Sequence, residues 1–476
     1  MTLSLHTPLD ERFSDIAEVI HVFYPDAKVV PAPKDACDML HEHAQEDGWS
    51  ADTFTYAGRT FRWTTRVTGD AWEQKRRVKR GLKQCCYYLL RKVTGETPPW
   101  GSLTGIRPTR LFYERLTHGD KPAEAREALI RLFDLREDRA QLLEDTLSVQ
   151  RALIGAPENA VDVYVGIPFC RTRCAYCSFF SEAVGNGKKV GPYLEALFQE
   201  MDAAAGIVSG AGLLPRALYI GGGTPTALTA GQLERLLSRA KSLFPGVREW
   251  TVEAGRPDTI DRDKLSAMRA AGVTRISINP QSMRDETLFV IGRAHTRKQT
   301  EDAFHLARRM GFDHINMDVI AALPGETTAD FRATLAAIEA LSPDSLTVHT
   351  LARKRGSRFN EFGFDPTPGD LAEQMVELGA ASAHRMGMRP YYLYRQKYVA
   401  GNLENVAYAK PGRESLYNID IMEETVSVLA CGAGAISKRI FPKEARIERA
   451  PNVGDVGHYI ERVDEMIKRK RKLWEV

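Results

Sequence analysis

Between about residue 161 and residue 350, short apolar runs alternate with longer segments in which apolar residues recur at helical spacing. Short apolar runs are typical of buried strands, and longer amphipathic segments are typical of helices that pack on a sheet. The predicted strands are Val161–Ile167, Ala217–Ile220, Glu249–Val252, Arg275–Ile278, His314–Ile320 and Ser345–His349. The predicted helices are Tyr193–Ile207, Ala230–Phe244, Arg262–Ala271, Lys298–Met310 and Ala329–Leu341. This series favours an α/β fold whose parallel sheet curls into a barrel or part of one, with reactive groups on the loops that follow the strands.

The first 150 residues or so have the mixed pattern of an α+β domain. Alternation from Thr53 to Val67, interrupted at Gly58, predicts a β-hairpin. Asp70 is placed to cap a long helix, with Cys85 on its apolar stripe and Cys86 at the edge of that stripe. The opposite face is basic, and it is either a solvated surface or a site for RNA or an anionic ligand. Its residues are Arg76, Lys79, Arg80 and Lys83.

Glycine and proline residues interrupt the pattern from Pro98 to Arg110, which predicts a structured loop. The side chains through which this loop could reach over a neighbouring active site are Trp100, Arg107 and Arg110. The segments predicted next are two helices and a linker, at Ala123–Phe133, Glu137–Ile154 and Gly155–Asn159.

After about residue 355 the pattern is less regular. It predicts a helix over Leu371–Met386, a short aromatic strand at Tyr391–Tyr394 and a small-residue turn at Ala430–Ser437. The basic run Lys468–Lys472 is interpreted as the solvated end of the last helix. We therefore expect an N-terminal α+β accessory domain over residues 1–155, a catalytic domain over residues 156–355, and a C-terminal extension covering the active site over residues 356–476.

Composition narrows the class of protein. A chain of 476 residues with 43% apolar and 27% charged residues is typical of a globular protein of more than one domain, and its net charge of +3 says little about partners. No apolar run approaches the roughly 18–20 residues of a membrane helix. The N-terminus lacks the basic and apolar regions of a secretory signal, and seven cysteines with three in one loop fit a reducing compartment. We expect a cytoplasmic protein without a membrane span.

The loop after the first strand of the series carries Cys170, Cys174 and Cys177 in a C-x3-C-x2-C array. An odd number of thiols cannot pair internally, and three thiolates in one tight loop suit a soft metal or an iron–sulfur cluster. Three ligands for a cube of four irons leave one iron open to a substrate, which is a catalytic arrangement. A structural zinc site would require a fourth Cys or His nearby, and the sequence has none between Leu153 and His295.

Polar and small residues follow the other predicted strands. Gly221–Thr226 is a glycine run at the end of the second strand, where the lack of Cβ atoms lets a ligand approach the backbone. Glu253 and Asp318 are acids at strand ends that could hold ribose hydroxyls, or could instead cap a helix or pair with an arginine. Gln281 and Arg293 complete a predicted polar wall.

Together these motifs resemble the radical S-adenosylmethionine superfamily, in which an aromatic residue, here Tyr176, precedes the third cysteine of the loop. The motifs in order are Y-x-x-I-P-F-C-x3-C-x2-C, G-G-G-T-P-T, an acid, a glutamine and D-x-I-x-x-L-P-G. Over about Val161–Ser437 they resemble the oxygen-independent coproporphyrinogen III dehydrogenase family and its haem-chaperone relatives. Leu103–Arg110, Tyr392–Lys397 and Gly401–Asn405 are similar to the HemZ-type branch.

The resemblance implies a radical S-adenosylmethionine partial (β/α)6 barrel with an N-terminal α+β domain and a C-terminal α+β extension. It implies a [4Fe–4S] cluster on the three cysteines and S-adenosylmethionine bound at the open iron, with its methionyl amino group on the glycine run. The residues that match cofactor-lining positions are Tyr164, Tyr176, Gly222, Gly223, Thr224, Glu253, Gln281, Arg293, Asp318, Ala352 and Ile436.

The activity that the resemblance implies is oxidative decarboxylation of two propionates of coproporphyrinogen III to vinyls, giving protoporphyrinogen IX for haem biosynthesis. It also implies a small electron-donor protein of the flavodoxin or ferredoxin type. The candidate partners for the substrate carboxylates are Arg107, Arg353, Arg355 and Arg395. The sequence departs from the better-characterised coproporphyrinogen enzymes at two positions. Those enzymes have a His where this chain has Gly166, and a Cys where it has Phe179.

Two alternatives remain open at this point. A haem-binding chaperone could use the same fold and cluster, with His295 or His349 as an axial ligand. An RNA-modifying radical enzyme would use the basic helix Lys75–Lys83, although a nucleic-acid partner is not what the overall pattern favours.

Overall fold

The computed structural model describes residues 1–352, 357, 359, 367–397, 399–444 and 446–475. Arg353 and Arg355, proposed above as carboxylate partners, lie outside the described residues, as does the predicted boundary between residues 355 and 356. The described chain divides into two compact units. The first comprises Met1–Glu144 with Arg395–Leu403, and the second comprises Asp145–Tyr394 with Glu404–Val476.

The first unit is a five-stranded sheet with helices. Its strands are β1 (Thr2–His6), β2 (Lys28–Pro31), β3 (Met39–Glu46), β4 (Trp49–Tyr56) and β5 (Arg59–Arg66). The helices of this part of the chain are α1 (Phe13–Phe23), α2 (Ala71–Thr94), α3 (Pro108–Thr117), α4 (Pro122–Phe133) and α5 (Glu137–Gln150). The strand order is β2-β1-β3-β4-β5, with β1 parallel to both neighbours and β3, β4 and β5 antiparallel. Helices α1 and α2 bury their apolar faces with those of the strands in one core.

The hairpin and the cap predicted for this region are confirmed. Ala57 and Gly58 turn the chain with positive φ values of 49° and 72°, which a tight hairpin requires. Asp70 caps α2 by accepting hydrogen bonds from the backbone of Trp72 and Glu73. Cys85 is buried as expected. Cys86, placed at the stripe's edge by the sequence, is fully buried as well.

The basic face of α2 is only partly solvated, because most of its cations contact other parts of this unit. Lys83 is buried, and its Nζ donates to Glu18 at 2.8 Å. Lys79 Nζ lies 2.7 Å from a carboxylate oxygen of Asp15. These acids lie on α1, so the cationic side of α2 packs against that helix; the periodicity of α2 alone could not show this. Arg76 pairs instead with Glu114 of α3 at 2.6 Å, and the Arg80 guanidinium lies over the ring of Phe133 at the end of α4.

The first half of the loop at Pro98–Arg110 lies in this unit's interior, whereas Gly105, Ile106 and Arg110 are exposed. Trp100 is fully buried, and the guanidinium carbon of Arg395 lies 5.0 Å from the centre of its ring. Arg395 is itself 4% exposed and donates to the carbonyls of Leu103 and Asn402. Arg395 therefore stabilises the loop, and the prediction that it binds a substrate carboxylate is wrong. Arg107 is half-buried just before α3.

The second unit is built on one eleven-stranded sheet. The strands and helices of its first part are β6 (Ala160–Ile167), β7 (Phe169–Cys170), β8 (Glu182–Ala183), α6 (Val190–Gly210), β9 (Leu214–Gly222), α7 (Ala230–Leu243), β10 (Glu249–Gly255), α8 (Arg262–Ala271), β11 (Arg275–Ile278), α9 (Asp285–Val290), α10 (Arg297–Arg309), β12 (Ile315–Ala321), α11 (Thr328–Leu341) and β13 (Ser345–Thr350). The six predicted strands correspond to β6, β9, β10, β11, β12 and β13, which are neighbours in that order and parallel throughout.

The remaining elements extend both edges of this parallel set. They are α12 (Gly369–Arg385), β14 (Arg389–Arg395), β15 (Glu404–Ala409), α13 (Leu416–Glu423), β16 (Ser427–Cys431), β17 (Ile436–Phe441), β18 (Arg446–Pro451), α14 (Val456–Glu461) and α15 (Val463–Trp474). β15 pairs antiparallel with β13, and β16 pairs parallel with β6. Within the described residues the sheet therefore does not close, and it forms a partial barrel with added strands. The predicted C-terminal extension does not form a third unit, because its strands join this sheet.

One expectation about the C-terminus is wrong. Lys470, placed in a solvated helix end, is 1% exposed and donates to Glu200. Lys468 and Lys472 are exposed as expected. Of the helices that the structure describes, none combines the length and apolar character needed to cross a lipid bilayer.

Candidate active site

The cysteine loop and the glycine run lie side by side because β6 and β9 are neighbours in register, with Ile167 opposite Gly222. The Gly223 N–H donates to the Ile167 carbonyl, and the Thr224 N–H donates to the Phe169 carbonyl, both at 2.7 Å. These bonds fix the start of the cysteine loop to the end of the second parallel strand. Sequence spacing alone separates the two motifs by about fifty residues, and the parallel pairing joins them.

The three cysteines lie where β6 gives way to the loop. Cys174 is buried, while Cys170 and Cys177 are partly exposed. The Cys177 N–H donates to the Cys174 carbonyl at 3.2 Å, and the N–H of Ala175 donates to the Ile291 carbonyl after α9 at 3.0 Å. Burial raises the pKa of the Cys170 and Cys177 thiols, so a metal that prefers thiolates would have to displace their protons.

The glycine run is required by close contact with this loop. A Cβ at Gly223 would stand 2.6 Å from the Phe169 carbonyl oxygen and 3.0 Å from Cys170 Sγ. Gly222 has a positive φ of 109°, and a Cβ there would stand 3.0 Å from the Ile167 carbonyl oxygen. Thr224 is buried with its hydroxyl 3.6 Å from Cys170 Sγ. The sequence analysis explained these glycines by the approach of a cofactor. The structure adds a second explanation, which is their close contact with the cysteine loop.

Glu253, at the end of β10, faces the same region. Its carboxylate accepts hydrogen bonds from the Tyr219 hydroxyl and, at 3.3 Å, from the Gly222 N–H. Separation from bulk water raises the pKa of Glu253 to about 7. A carboxyl group with this pKa can change its charge near neutral pH.

A cavity of about 170 Å³ opens beside the cysteine loop. It is lined by Tyr164, Gly166, Ile167, Pro168, Phe179, Phe180, Gly222, Glu253, Ala433, Gly434 and Ala435. Beneath Tyr164 the tyrosines stack, with Tyr219 and Tyr417 only 4.4 Å apart between ring centres. Phe179 and Phe180 are 67% and 71% exposed, so the rim of the cavity presents two aromatic rings to solvent.

Gln281 and Arg293 follow β11 and do not line this cavity. Gln281 has a positive φ of 69°, and its backbone bridges to β12 through Asp318 and Ile320. Its side-chain oxygen is buried and has no hydrogen-bond partner among the described residues. Arg293 is buried and donates to the Tyr176 hydroxyl at 2.9 Å and to the Asn279 carbonyl at 2.6 Å. Arg293 thus ties the aromatic residue of the cysteine loop to the end of β11.

Asp318 is on β12 with His349 on the neighbouring strand β13. Their nearest side-chain atoms, Nε2 and a carboxylate oxygen, are 3.7 Å apart, and Asn316 donates to Asp318 at 2.7 Å. Burial opposes ionisation, but the nearby His349 imidazole and the hydrogen bond from Asn316 outweigh it and hold the pKa of Asp318 below its usual value. Asp318 is therefore an anion at neutral pH, unlike Glu253.

The last two predicted residues lie at opposite edges of the parallel set. Ala352 follows β13 by two residues. Ile436 begins β17, directly after Ala435 at the cavity, and is 45% exposed.

Of the predicted wall, Tyr164, Gly222 and Glu253 line the cavity itself. Tyr176, Gly223, Thr224 and Arg293 instead hold the cysteine loop.

Comparison with known proteins agrees with this geometry. Residues 164–338 match the family model described as the Radical SAM superfamily. The chain is 41% identical over 418 residues to the oxygen-independent coproporphyrinogen-III oxidase-like protein HemZ of Bacillus subtilis (strain 168), a match covering 85% of this chain and 83% of that protein. The chain belongs to the HemZ family of radical S-adenosylmethionine proteins. This family uses a [4Fe–4S] cluster and S-adenosylmethionine.

More distant relatives of this HemZ-family chain carry other names. The heme chaperone HemW of Bacillus subtilis (strain 168) is 29% identical over 309 residues, 63% of this chain and 76% of that one. The solved structure of coproporphyrinogen III oxidase HemN from Escherichia coli superposes with a TM-score of 0.52 at 24% identity, covering 69% of this chain and 73% of that chain. The structural likeness supports the fold, a mixed α/β radical S-adenosylmethionine fold.

The residues present fit the cofactors of the HemZ family. Three thiols on one clamped loop are the donor set of an iron–sulfur cluster with an open iron. The unpartnered oxygen of Gln281 and the carboxylate of Asp318 are acceptors that a polar cofactor can use. The cavity at Gly222 and Glu253 lies directly beside the loop.

Sequence reasoning missed part of the site. Tyr219 lies two residues before Gly221, so the alternation of β9 could have placed it on one face of the sheet with the glycine. Tyr417 carries no such signal, because it comes from α13, nearly two hundred residues further along the chain. The Gly432–Ala433 turn is held by Glu200 and Tyr193, with Gly432 N–H to Glu200 at 2.6 Å and Ala433 N–H to the Tyr193 hydroxyl at 3.1 Å.

The two histidines considered as haem ligands lie in different environments. His295 is 2% exposed beside Arg293, and burial together with that cation lowers its pKa to about 3. A haem iron could reach His295 only after the chain opened. His349 is partly exposed but lies against Asp318 and Tyr394.

Proposed function

We propose that this HemZ-family protein oxidatively decarboxylates two propionate side chains of coproporphyrinogen III to vinyl groups, giving protoporphyrinogen IX. The observation that carries the proposal is the aromatic rim of the cavity beside the cysteine loop. Two large apolar side chains, Phe179 and Phe180, are mostly exposed there, and exposed apolar groups next to a cavity mark a binding surface. A flat tetrapyrrole offers a matching apolar face. The substrate name comes from the HemZ and HemN relatives.

In this proposal Cys170, Cys174 and Cys177 hold the cluster. When bound, the reduced cluster and S-adenosylmethionine supply a hydrogen-abstracting radical, the source of the carbon–hydrogen chemistry. The chain positions the cofactor. An ammonium group donates hydrogen bonds, so the glycine run would receive the methionyl ammonium on its carbonyl oxygens, while the N–H groups of Gly222 and Gly223 are used within the protein.

The acidic residues take different roles. Asp318 is held anionic and is suited to accept hydrogen bonds from hydroxyl or amino groups of the cofactor. Glu253, with its raised pKa, accepts from Tyr219 and can share a proton with a ribose hydroxyl. Arg293 pairs with Tyr176 and keeps the cysteine loop against the end of β11. The stacked tyrosines and the Gly432–Ala433 turn exclude water from the base of the cavity.

The proposal also includes a small flavodoxin- or ferredoxin-type electron donor and a cytoplasmic location. The partly exposed Cys170 and Cys177 are the side of the loop through which an electron would arrive. Arg107 stays a candidate for a substrate carboxylate. The protein supplies binding and orientation. Each vinyl group forms when a propionate that has lost one hydrogen atom from its Cβ loses CO2 and passes one electron to a one-electron acceptor.

The second candidate is a haem chaperone on the same fold. It is favoured by the HemW relatives and by Gly166, which stands where the coproporphyrinogen enzymes have a His. Gly166 lines the cavity, where a Cβ would stand 3.3 Å from the Tyr164 ring. Such a protein would bind haem at one per chain and cleave S-adenosylmethionine only slowly and without coupling.

The test is anaerobic incubation of the cluster-loaded protein with coproporphyrinogen III, S-adenosylmethionine and a reductant, followed by mass analysis of the products. We expect harderoporphyrinogen and then protoporphyrinogen, each formed with 5′-deoxyadenosine. Cys170→Ala is the inactive control. Tight stoichiometric haem binding with no porphyrinogen turnover would replace the proposal with the chaperone.

A further inference from the structure

A second cluster of metal-ligating side chains lies in the first unit, outside the site described above. It comprises His41 and His43 on β3 and Asp52 on β4. His43 and Asp52 are direct cross-strand partners in the antiparallel ladder. His41 is two residues before His43, and because side chains alternate along a strand, all three project from one face of the sheet.

The three ligand atoms converge. Asp52 Oδ1 lies 3.1 Å from His41 Nε2 and 2.8 Å from His43 Nδ1, and all three atoms lie within 4.8 Å of one another. In a tetrahedral zinc site with bonds of about 2.0–2.2 Å, ligand atoms stand about 3.3 Å apart. A small outward shift would therefore admit the ion in place of the imidazole protons that now contact the carboxylate.

The pocket contains buried polar atoms without partners. Asp52 Oδ2 and Ser50 Oγ, both on fully buried residues, have no hydrogen-bond partner anywhere in the described part of the chain. Ser50 is two residues from Asp52 on β4, so its side chain projects from the same face. Buried polar groups are rarely left unpaired. A cation bound by Asp52 would give its buried carboxylate oxygen a partner.

The surroundings of His41 fix its orientation as a ligand. Its Nδ1 lies 2.8 Å from the Thr7 hydroxyl, and its ring stacks on Phe54 with 4.3 Å between ring centres. When Nδ1–H donates to Thr7, the Nε2 lone pair is available to a metal. A histidine that binds a metal usually donates its other ring N–H to a polar group in this way. Cys85, the nearest thiol, donates instead to the Asp52 backbone carbonyl at 3.1 Å.

We propose that His41, His43 and Asp52 bind one Zn²⁺ ion that fastens β3 to β4 in the N-terminal unit. Two imidazoles and one carboxylate suit zinc better than magnesium or calcium, which prefer oxygen ligands alone. The His43 side chain is 12% exposed, so water can reach the fourth position. The site is independent of the cysteine loop and of the proposed reaction.

The experiment uses the full, cluster-loaded chain, purified anaerobically from zinc-supplemented cells and desalted. Zinc and iron are measured per chain, and zinc X-ray absorption gives the ligand shell. We expect about one zinc with a nitrogen and oxygen shell near 2.0–2.1 Å and no sulfur shell near 2.3 Å, which would mark zinc on the cluster cysteines. His43→Gln and Asp52→Asn should each lower zinc at least tenfold and leave iron unchanged.

The matched control is His118→Ala, an exposed histidine of the same unit, which should keep its zinc. His41 is fully buried, so the partly exposed His43 decides the outcome if a His41 variant fails to fold. Zinc equal in wild type and His43→Gln, a sulfur shell, or no zinc in wild type overturns the proposal. Iron in place of zinc, with the same nitrogen and oxygen shell, would also overturn its metal assignment.

Discussion

Gly223 lies against Cys170 so closely that a Cβ on the glycine would stand 3.0 Å from the cysteine sulfur. The same Cβ would stand 2.6 Å from the Phe169 carbonyl oxygen, a backbone atom that cannot rotate away. The glycine run therefore holds the cysteine loop in place as well as offering a surface for a cofactor.

Gly223→Ala should lower cluster content several-fold, because overpacking by one methyl group costs about 1–3 kcal/mol and here moves the loop itself. Iron and sulfide per chain after reconstitution measure the effect. Gly231→Ala, at a helical glycine whose Cβ would meet no described atom within 4 Å, is the control and should assemble normally. Normal cluster content in Gly223→Ala would mean that the loop tolerates displacement.

Replacing Cys170, Cys174 or Cys177 by Ala should each abolish the visible iron–sulfur absorption and the cleavage of S-adenosylmethionine. A cluster held by three thiolates cannot be kept by two. Cys37→Ala and Cys431→Ala should keep both properties, since neither residue lies on the loop. An intact spectrum in any of the three loop variants would falsify the ligand assignment.

The parallel strands were predictable because buried strands are continuous apolar runs. Arg275–Ile278 coincides with β11, and the other five predicted strands differ from the observed bounds by a few residues. The cysteine loop and glycine run were predictable as well, since each is a local motif that follows a strand. The short helix α9 was missed because six residues are too few to show a helical period.

Contacts between distant segments were not predictable. In the sequence Lys470 belongs to a basic run that predicts a solvated helix end. In the structure it is buried against Glu200, which is 270 residues away in the sequence. Likewise Lys79 and Lys83 of α2 are paired with acids on α1 that the helix's own pattern does not reveal. Periodicity identifies which residues share a face, and only the tertiary fold decides what that face meets.

Lys470→Met should destabilise the second unit by about 3–5 kcal/mol, because it leaves the Glu200 carboxylate buried without its cation. Glu200 also accepts from the Gly432 N–H and the Tyr459 hydroxyl, so the turn beside the cavity should loosen. Urea unfolding measures the loss. The double variant Glu200→Gln with Lys470→Met should recover part of it, and exposed Lys468→Met should change little. Equal stability of Lys470→Met and wild type would show that the pair contributes nothing net.

Glu253 predicts a dependence of stability on pH whose sign is fixed by its raised pKa. The folded pKa of about 7 lies above the ordinary value of 4.5, so between these values the folded chain binds more protons at this residue than the unfolded chain does. The stability that Glu253 contributes is complete below pH 4.5 and is lost as the pH rises through 7. The glutamine in Glu253→Gln cannot ionise. The unfolding free energy of this variant minus that of wild type should therefore increase by about 2 kcal/mol between about pH 5.5 and about pH 8. Comparing the two proteins cancels the titration of all other groups. If this difference stays constant across the pH range, or decreases, Glu253 is already ionised in the folded protein. The Tyr219 hydroxyl would then donate to a carboxylate at every pH in the range.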